Sequence, residues 1–415
     1  MLMISKPETN KIAGFILIMI TMTLTQYFLS EKLEKLSVPF IIYLQGDSHL
    51  VKSMELVSLI GSKEIKFSLL LTIFCTCNVY HAFIYTFASY FSMFACSWLK
   101  LIWQQPRPYW LSDDITPFEC DPGFGYPSNH VLSTVVSFLV FFEIMYEHFH
   151  IKSFVNSKII YWLGFSASFL LCAFVGFGRM VLGVHSIDQV MFGLLIGLAI
   201  YYFILHLTDF KVDNYDNFLN LISNKYRTSK LMLLTLSIYF LFLVNIYFMP
   251  TVYNPEYVGR VLLKCPSSTP FGKSLLASGQ YFMIIGMLIG IFYDVRSNYL
   301  ENSETNDLPS QYIEDNFCKS DMVQDSDYSK LRTASFDDSN YNTYLITFVR
   351  MFIIYFMSRV INFICSFIMV MFGTNLITKF LFLQVLNNLS VGIFLFGFGR
   401  NFGDMFRLNL KKKVF

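Results

Sequence analysis

Residues 157–207 read SKIIYWLGFSASFLLCAFVGFGRMVLGVHSIDQVMFGLLIGLAIYYFILHL. Two apolar runs, 157–178 and 186–207, are each long enough to cross a bilayer of about 30 Å as a helix. In hydrocarbon every backbone group must be satisfied internally, so such runs have to be helical. Between them lies a short polar island, Gly178-Arg179-Met180-Val181-Leu182-Gly183-Val184-His185-Ser186-Ile187-Asp188-Gln189. Ionisable groups at a membrane helix end are costly unless they snorkel, pair or serve chemistry.

The rest of the chain repeats this pattern. Of 415 residues, 54% are hydrophobic and 14% charged, too apolar a balance for a water-soluble domain. Further spanning runs fall at about 12–29, 66–84, 86–103, 131–148, 231–249, 275–293, 344–372 and 376–399. The expected fold is all-α, a polytopic membrane helix bundle, with the second and third runs joined by a tight hairpin around His81 and Thr86. Residues 31–65 carry an apolar patch at 38–44 that is expected along the interface. Residues 299–343 are rich in Asp, Glu, Ser and Asn and read as a disordered cytosolic loop. Scattered basic residues and a net charge of +2 present no basic face, so no nucleic-acid partner is expected. The cysteines show no metal spacing, and Cys75-x-Cys77 reads as packing.

A mild Lys/Arg excess places both termini in the cytosol. The last residues, Lys411-Lys412-Lys413-Val414-Phe415, resemble a dilysine retrieval signal of endoplasmic reticulum membrane proteins. The bland alternative is a basic tail drawn to anionic lipid. Cys120 and Cys265 then share the luminal face, where a bridge between them is expected.

Two more polar islands interrupt the apolar chain: Lys100 to Pro108 at the end of the third run, and Tyr126-Pro127-Ser128-Asn129-His130 opening the fourth. These two bracket one loop, and two helices return the chain from His130 to Arg179, so all three islands share a membrane face. Lys100, Arg107 and Arg179 form a trio of cations suited to an anion with several oxygens, and arginine adds bidentate geometry. Lys100 and Arg107, seven apart, are expected to project on one side of the helix end. Ser128 adds a hydroxyl, and the backbone at Ser128, Asn129 and His130 opens a helix whose free N–H groups favour phosphate. A neutral imidazole can attack phosphorus while a second protonates the leaving alkoxide. Asp188, one turn after His185, is expected to hold its ring. Taken singly, Lys100 is an interfacial anchor, Ser128 a cap and each histidine an interfacial residue; together they point to a phosphoryl site.

These islands resemble the three signature motifs of the type-2 phosphatidic acid phosphatase and vanadium haloperoxidase superfamily: Lys-x6-Arg-Pro, Pro-Ser-Gly-His and Ser-Arg-x5-His. The resemblance implies a six-helix core, here residues 1–210, with additional transmembrane helices over 211–415 and no metal or other cofactor. It implies phosphate binding by Lys100, Arg107, Ser128, Asn129 and Arg179, with His130 as general acid and His185 as nucleophile. Within the superfamily, Arg107-Pro108-Tyr109-Trp110, the run from Cys120 to His130, and Gln189 are most like the glucose-6-phosphatases. The expected function is therefore an integral membrane phosphomonoesterase acting through a phosphohistidine on a sugar phosphate such as glucose 6-phosphate. The alternatives are a lipid phosphate (phosphatidate or sphingosine phosphate) phosphatase, or a non-catalytic, transporter-like phosphate binder. Membrane lipid is an expected partner, and a substrate transporter is left open as another. Two departures stand out. Asn129 replaces the motif glycine, and asparagine tolerates a positive φ. Gly178 replaces the serine before Arg179, expected to remove a hydroxyl from the phosphate.

Overall fold

Apolar runs that must satisfy their own backbone have one local solution, and the chain adopts it. The computed structural model describes residues 6–77, 79–148, 157–208, 225–249, 255–265, 269–304, 338–372 and 375–398, and every regular element among them is helical. In order these are α1 (Lys6–Gln45), α2 (Ser48–Ile60), α3 (Lys63–Thr76), α4 (Val79–Trp103), α5 (Pro108–Leu111), α6 (Asn129–His148), α7 (Ser157–Val181) and α8 (Ile187–Thr208). Then follow α9 (Lys225–Phe248), α10 (Pro255–Lys264), α11 (Pro270–Ser278), a 3-10 turn (Gly279–Tyr281), α12 (Phe282–Glu304) and α13 (Asp338–Phe372). The last helix comprises α14 (Leu376–Thr378), a π-helical stretch (Lys379–Leu386), α15 (Asn387–Ile393) and a second π-helical stretch (Phe394–Phe398). Among the described residues eight helices are long and apolar enough to cross a membrane, which makes this a multi-pass membrane bundle.

Three expectations change. The break between the second and third runs falls at Cys77, whose backbone is extended, and not at residues 81–86. His81 and Thr86 instead lie inside α4, buried, and Thr86 Oγ1 donates to the Ala82 carbonyl, so the helix continues past it. That leaves α3 with 14 residues, about 21 Å at 1.5 Å per residue, short of the ~30 Å hydrocarbon core. The patch at 38–44 is not a separate segment: α1 runs unbroken to Gln45, burying Ile41 and Leu44 as it packs on α8 and α2. The run at 12–29 lies within α1, whose earliest side chains are outside the described residues. Most of the acidic loop, residues 305–337, and the dilysine end also lie outside them, while helix enters the expected loop as far as Glu304 and again from Asp338.

α4, α6 and α8 form the centre, with α1, α2 and α7 around one side. The opposite face of α4 packs on the C-terminal helices through Phe94, whose ring lies 4.4 Å from Tyr281 and 5.1 Å from Phe242. Without a hydrophobic drive between helices in lipid, close backbone approach must hold such a bundle, and small residues permit it. A Cβ on Gly392 of α15 would stand 2.8 Å from Met283 O and Met287 N of α12. Outside the spans, α10 fastens the loop after α5. Arg260 Nη1 donates to the Trp110 and Leu111 carbonyls at 2.9 and 3.0 Å, Lys264 Nζ reaches the Ser112 and Ile115 carbonyls, and Cys265 is bonded to Cys120 as expected.

Gly392→Val should force α12 and α15 apart at a cost of about 1–3 kcal/mol of overpacking. Thermal unfolding in detergent would show a lowered Tm, whereas Gly259→Ala, beside open space, should leave it unchanged or raised. Equal Tm values for the two variants would contradict this packing.

Candidate active site

The chain after α4 turns at Gln104, the one non-glycine at positive φ (45°) among the described residues. Arg107 is extended because Pro108 follows it, and Pro108 opens α5. Helix α4 therefore ends before Arg107, and the pair Lys100/Arg107 does not share a helix face. They converge by another route: Lys100 Nζ and Arg107 Nη2 both donate to the Phe124 carbonyl. Arg107 is fully buried. Its Nε donates to Gly123 O at 2.5 Å, Nη1 to Val184 O at 2.8 Å, and Nη2 to Asp121 Oδ2 at 2.6 Å.

The three islands are stitched together by further backbone bonds. Gly125 N donates to Gln105 O, and Ser128 N donates to Gln189 O at 3.0 Å. The third island turns at Gly183 (φ +73°), where a Cβ would stand 2.7 Å from Thr116 O. That turn carries the chain from Arg179, in the last turn of α7, to His185.

His185 is 1% exposed and held from both sides. Its Nε2 lies 3.2 Å from Arg107 Nη1, and its Nδ1 lies 3.1 Å from Gln189 Oε1. The guanidinium can only donate, so Nε2 carries the lone pair and Nδ1–H donates to Gln189. Burial, then the charges of Arg107, Lys100 and Arg179, hold this imidazole well below its ordinary pKa, so it is neutral at pH 7.

Asp188 does not take the role expected of it. Its carboxylate accepts from Ser186 Oγ, from Gln26 Nε2 at 3.1 Å and from Gln105 Nε2 at 2.8 Å, tying α1 and the first island to α8. Gln189 reaches the ring instead, because α8 begins only at Ile187 and its first turn directs that side chain toward Pro106, whose carbonyl accepts from Gln189 Nε2. Gly125 makes room for it: a Cβ there would meet the Gln189 side chain.

On the other side, Arg179 is fully buried; its Nη1 donates to Ser58 Oγ at 2.7 Å and pairs with Glu119. Its Nε and Nη2 have no hydrogen-bond partner among the described residues, and neither do Ser128 Oγ and Asn129 Oδ1. Buried polar atoms in folded proteins are almost always bonded, so these point to a polar ligand. Ser128 Oγ does not cap α6. His130 occupies the first turn of α6, against Gly61 at the end of α2, where a Cβ would come within 3.2 Å of its Cδ2. Both imidazoles lie within electrostatic reach of Arg107 and Arg179.

The two departures from the motif read differently in place. Asn129 is the first residue of α6 and does not take a positive φ. A Cβ at Gly178 would face Met54 of α2 at 3.5–3.7 Å, in ordinary contact, so this position looks toward a helix interface. Glu119 and Asp121 were not legible as site residues. Burial alone would raise the Asp121 carboxyl, but Arg107, then Lys100 and Arg179, outweigh it and hold it well below the usual carboxylate range.

The family model described as "PAP2 superfamily" matches residues 81–213. Over those residues the chain is similar to the PAP2 superfamily. The match includes all three islands and helices α4 to α8. Over 80 residues, 19% of this chain, the sequence is 35% identical to the "Lipid phosphate phosphatase delta" of Arabidopsis thaliana. The chain spans only 18% of that relative's length. A crystal structure of the first transmembrane PAP2 type phosphatidylglycerolphosphate phosphatase from Bacillus subtilis is similar with a TM-score of 0.41 at 16% identity, over 49% of this chain and 98% of that one. The family match carries the PAP2 superfamily and not the closer glucose-6-phosphatase likeness.

A depressed folded-state pKa means that neutral His185 contributes stability present above the unfolded imidazole value, about 6.5, and lost as pH falls through the folded one. Ring-labelled histidine NMR, assigned with His185→Gln, should show a midpoint below that value. A midpoint at or above it would contradict the burial and cation environment described.

Proposed function

We propose that this chain is a membrane phosphatase that hydrolyses a phosphomonoester carried on a lipid, through a phosphohistidine. The observation that carries the reading is the pairing of a buried, neutral His185, its Nε2 lone pair beside Arg107, with the unpartnered Arg179 Nε and Nη2 and Ser128 Oγ. A cluster of cationic and hydroxyl donors next to an imidazole nucleophile suits an anion with several oxygens.

In this reading Lys100, Arg107, Arg179, Ser128 and the Asn129 backbone N–H hold the phosphoryl oxygens. His185 Nε2 attacks phosphorus, the ester P–O bond breaks, and His130 gives its proton to the departing alkoxide. His130 then takes a proton from water as that water attacks the phosphohistidine, releasing phosphate and restoring His185. Gln189 fixes the attacking tautomer. Residues 1–210 form the catalytic core and 211–415 supply additional membrane helices.

A lipid substrate is favoured over a sugar phosphate by the name of the Arabidopsis relative and by a site at the end of a membrane bundle. The sugar-phosphate reading rests on the Arg107-Pro108-Tyr109-Trp110 and Cys120-to-His130 likeness and is the outcome to test against. A location with the site in an oxidising compartment such as the endoplasmic reticulum lumen is supported by the Cys120–Cys265 bridge beside the site, since disulfides persist there.

Purified protein should release phosphate from phosphatidate or sphingosine phosphate at least about tenfold faster, by kcat/KM, than from glucose 6-phosphate, a difference of about 1.4 kcal/mol. The reverse ranking would return the sugar-phosphate reading. His185→Ala should abolish turnover of every ester. His130→Ala should cost about 10²–10⁴-fold with alkyl phosphates and far less with an aryl phosphate, whose leaving group needs little protonation. Wild-type activity in both histidine variants would remove the mechanism.

Gln189→Leu should lower kcat more than Asp188→Asn does, because Gln189, and not Asp188, accepts from His185 Nδ1. The opposite order would restore Asp188 as the orienting residue.

A further inference from the structure

Apart from the catalytic cradle, a cavity of about 260 Å³ opens between α3, α4, α13 and the last helix. Its walls mix charged and amide side chains with apolar ones, within helices apolar enough to span a membrane. Arg359 lines it from within the apolar segment Met351–Phe372, its guanidinium 5.7 Å from the Tyr355 ring centre, and it has no carboxylate partner among the described residues. Charge within a membrane helix is retained where it faces a cavity, a partner or a ligand. Lys63 supplies a second cation at the wall, next to the Glu64 carboxylate, while the Nζ of Lys66, another lining residue, is engaged by Gly61 O and Ser133 Oγ.

Two amides complete the cavity. Asn387 is 8% exposed, and its Oδ1 is buried without a hydrogen-bond partner; Gln280 Oε1 is likewise buried and unpartnered. Both residues line the cavity. Unsatisfied buried acceptors call for a donor. The walls therefore offer cations for an anion and amide oxygens for hydroxyl groups, in a space sized for a headgroup. None of the cradle residues lines it.

We infer that this cavity is a second binding site, for an anionic, hydroxyl-bearing phosphate-diester headgroup of a membrane lipid. The lipid's acyl chains would remain in the bilayer outside the exposed rim, where Arg359 stands. A soluble glycerol or polyol phosphodiester offers the same headgroup chemistry without the chains, and the experiment separates the two. The site adjoins the catalytic helix: Lys66 Nζ donates to Gly61 O at 2.9 Å and to Ser133 Oγ at 2.5 Å, and Ser133 Oγ donates to Asn129 O. The inference does not rest on the proposed phosphatase activity, because a diester is not a phosphomonoesterase substrate and the readout is binding.

The full chain, delipidated in detergent, is titrated with phosphatidylinositol, with phosphatidylcholine and with glycerophosphoinositol, reading Tm and bound lipid by native mass spectrometry. Phosphatidylinositol should bind saturably and raise Tm, while phosphatidylcholine should not. Arg359→Gln should weaken binding roughly tenfold or more, as loss of a charge-assisted hydrogen bond does. Asn387→Leu should weaken it as well, Arg359→Lys should keep most of the affinity, and His185→Ala should leave it unchanged. Should Arg359→Gln lower Tm in the absence of lipid, Gln280→Leu supplies the independent variant. Glycerophosphoinositol binding as tightly as the lipid would support the headgroup site and reassign its source to a soluble diester. Phosphatidylinositol binding that none of these cavity substitutions alters, equal binding of phosphatidylcholine, or no binding at all would overturn the inference.

Discussion

A fully buried guanidinium, that of Arg107, is the contact on which the rest of the site depends. Burying an unpaired charge is prohibitive, and a buried pair is tolerated only when its remaining protons are satisfied. Arg107 meets that condition with Asp121, the Gly123, Phe124 and Val184 carbonyls, and His185 Nε2. These partners come from two separate stretches of the chain, so the arginine can be satisfied only when the loop after α5 and the turn before α8 are both in place. The same contact holds a neutral imidazole whose Nε2 lone pair accepts from Arg107 Nη1.

The surrounding fold can be read as support for that contact. Gly183 and Gly125 permit the close approaches that bring the third island and Gln189 to the first. Asp188, Gln26 and Gln105 bind α1 to α8 beneath it. Outside the bundle, Arg260, Lys264 and the Cys120–Cys265 bridge fasten the loop that carries Glu119 and Asp121. Arg107 and Arg179 thus face carboxylates on a loop that is itself held in place, while two Arg179 donors have no partner among the described residues.

Behind this machinery, α4 serves two sides. One side packs on α6 and α8, and the other on the C-terminal helices through Phe94 and its aromatic neighbours. The cavity lined by Lys63 and Arg359 lies between α3, α4, α13 and the last helix. Such a cavity is costly in a bundle held by close packing, which is why its charged wall reads as selected for a ligand.

Much of this is legible in the order of the amino acids. The apolar runs demand helices, and the count of spans between the islands puts Lys100, Arg107, Ser128, His130, Arg179 and His185 on one face, since a membrane leaves the chain few ways to return. What periodicity could not decide is set by local hydrogen bonding and packing: α4 passes through His81 and Thr86 because Thr86 is satisfied by its own helix, and α1 continues through the 38–44 patch because α8 covers Ile41. Nor could periodicity reveal Gln189 in place of Asp188, the Met54-facing side of Gly178, or the roles of Glu119 and Asp121. A one-residue difference at the start of a helix turns a side chain by about 100°. The sequence by itself determined the solvent, the helices and which polar residues interrupt them; the tertiary structure decided which of them touch, because a hydrogen bond depends on ångströms that spacing along the chain does not specify.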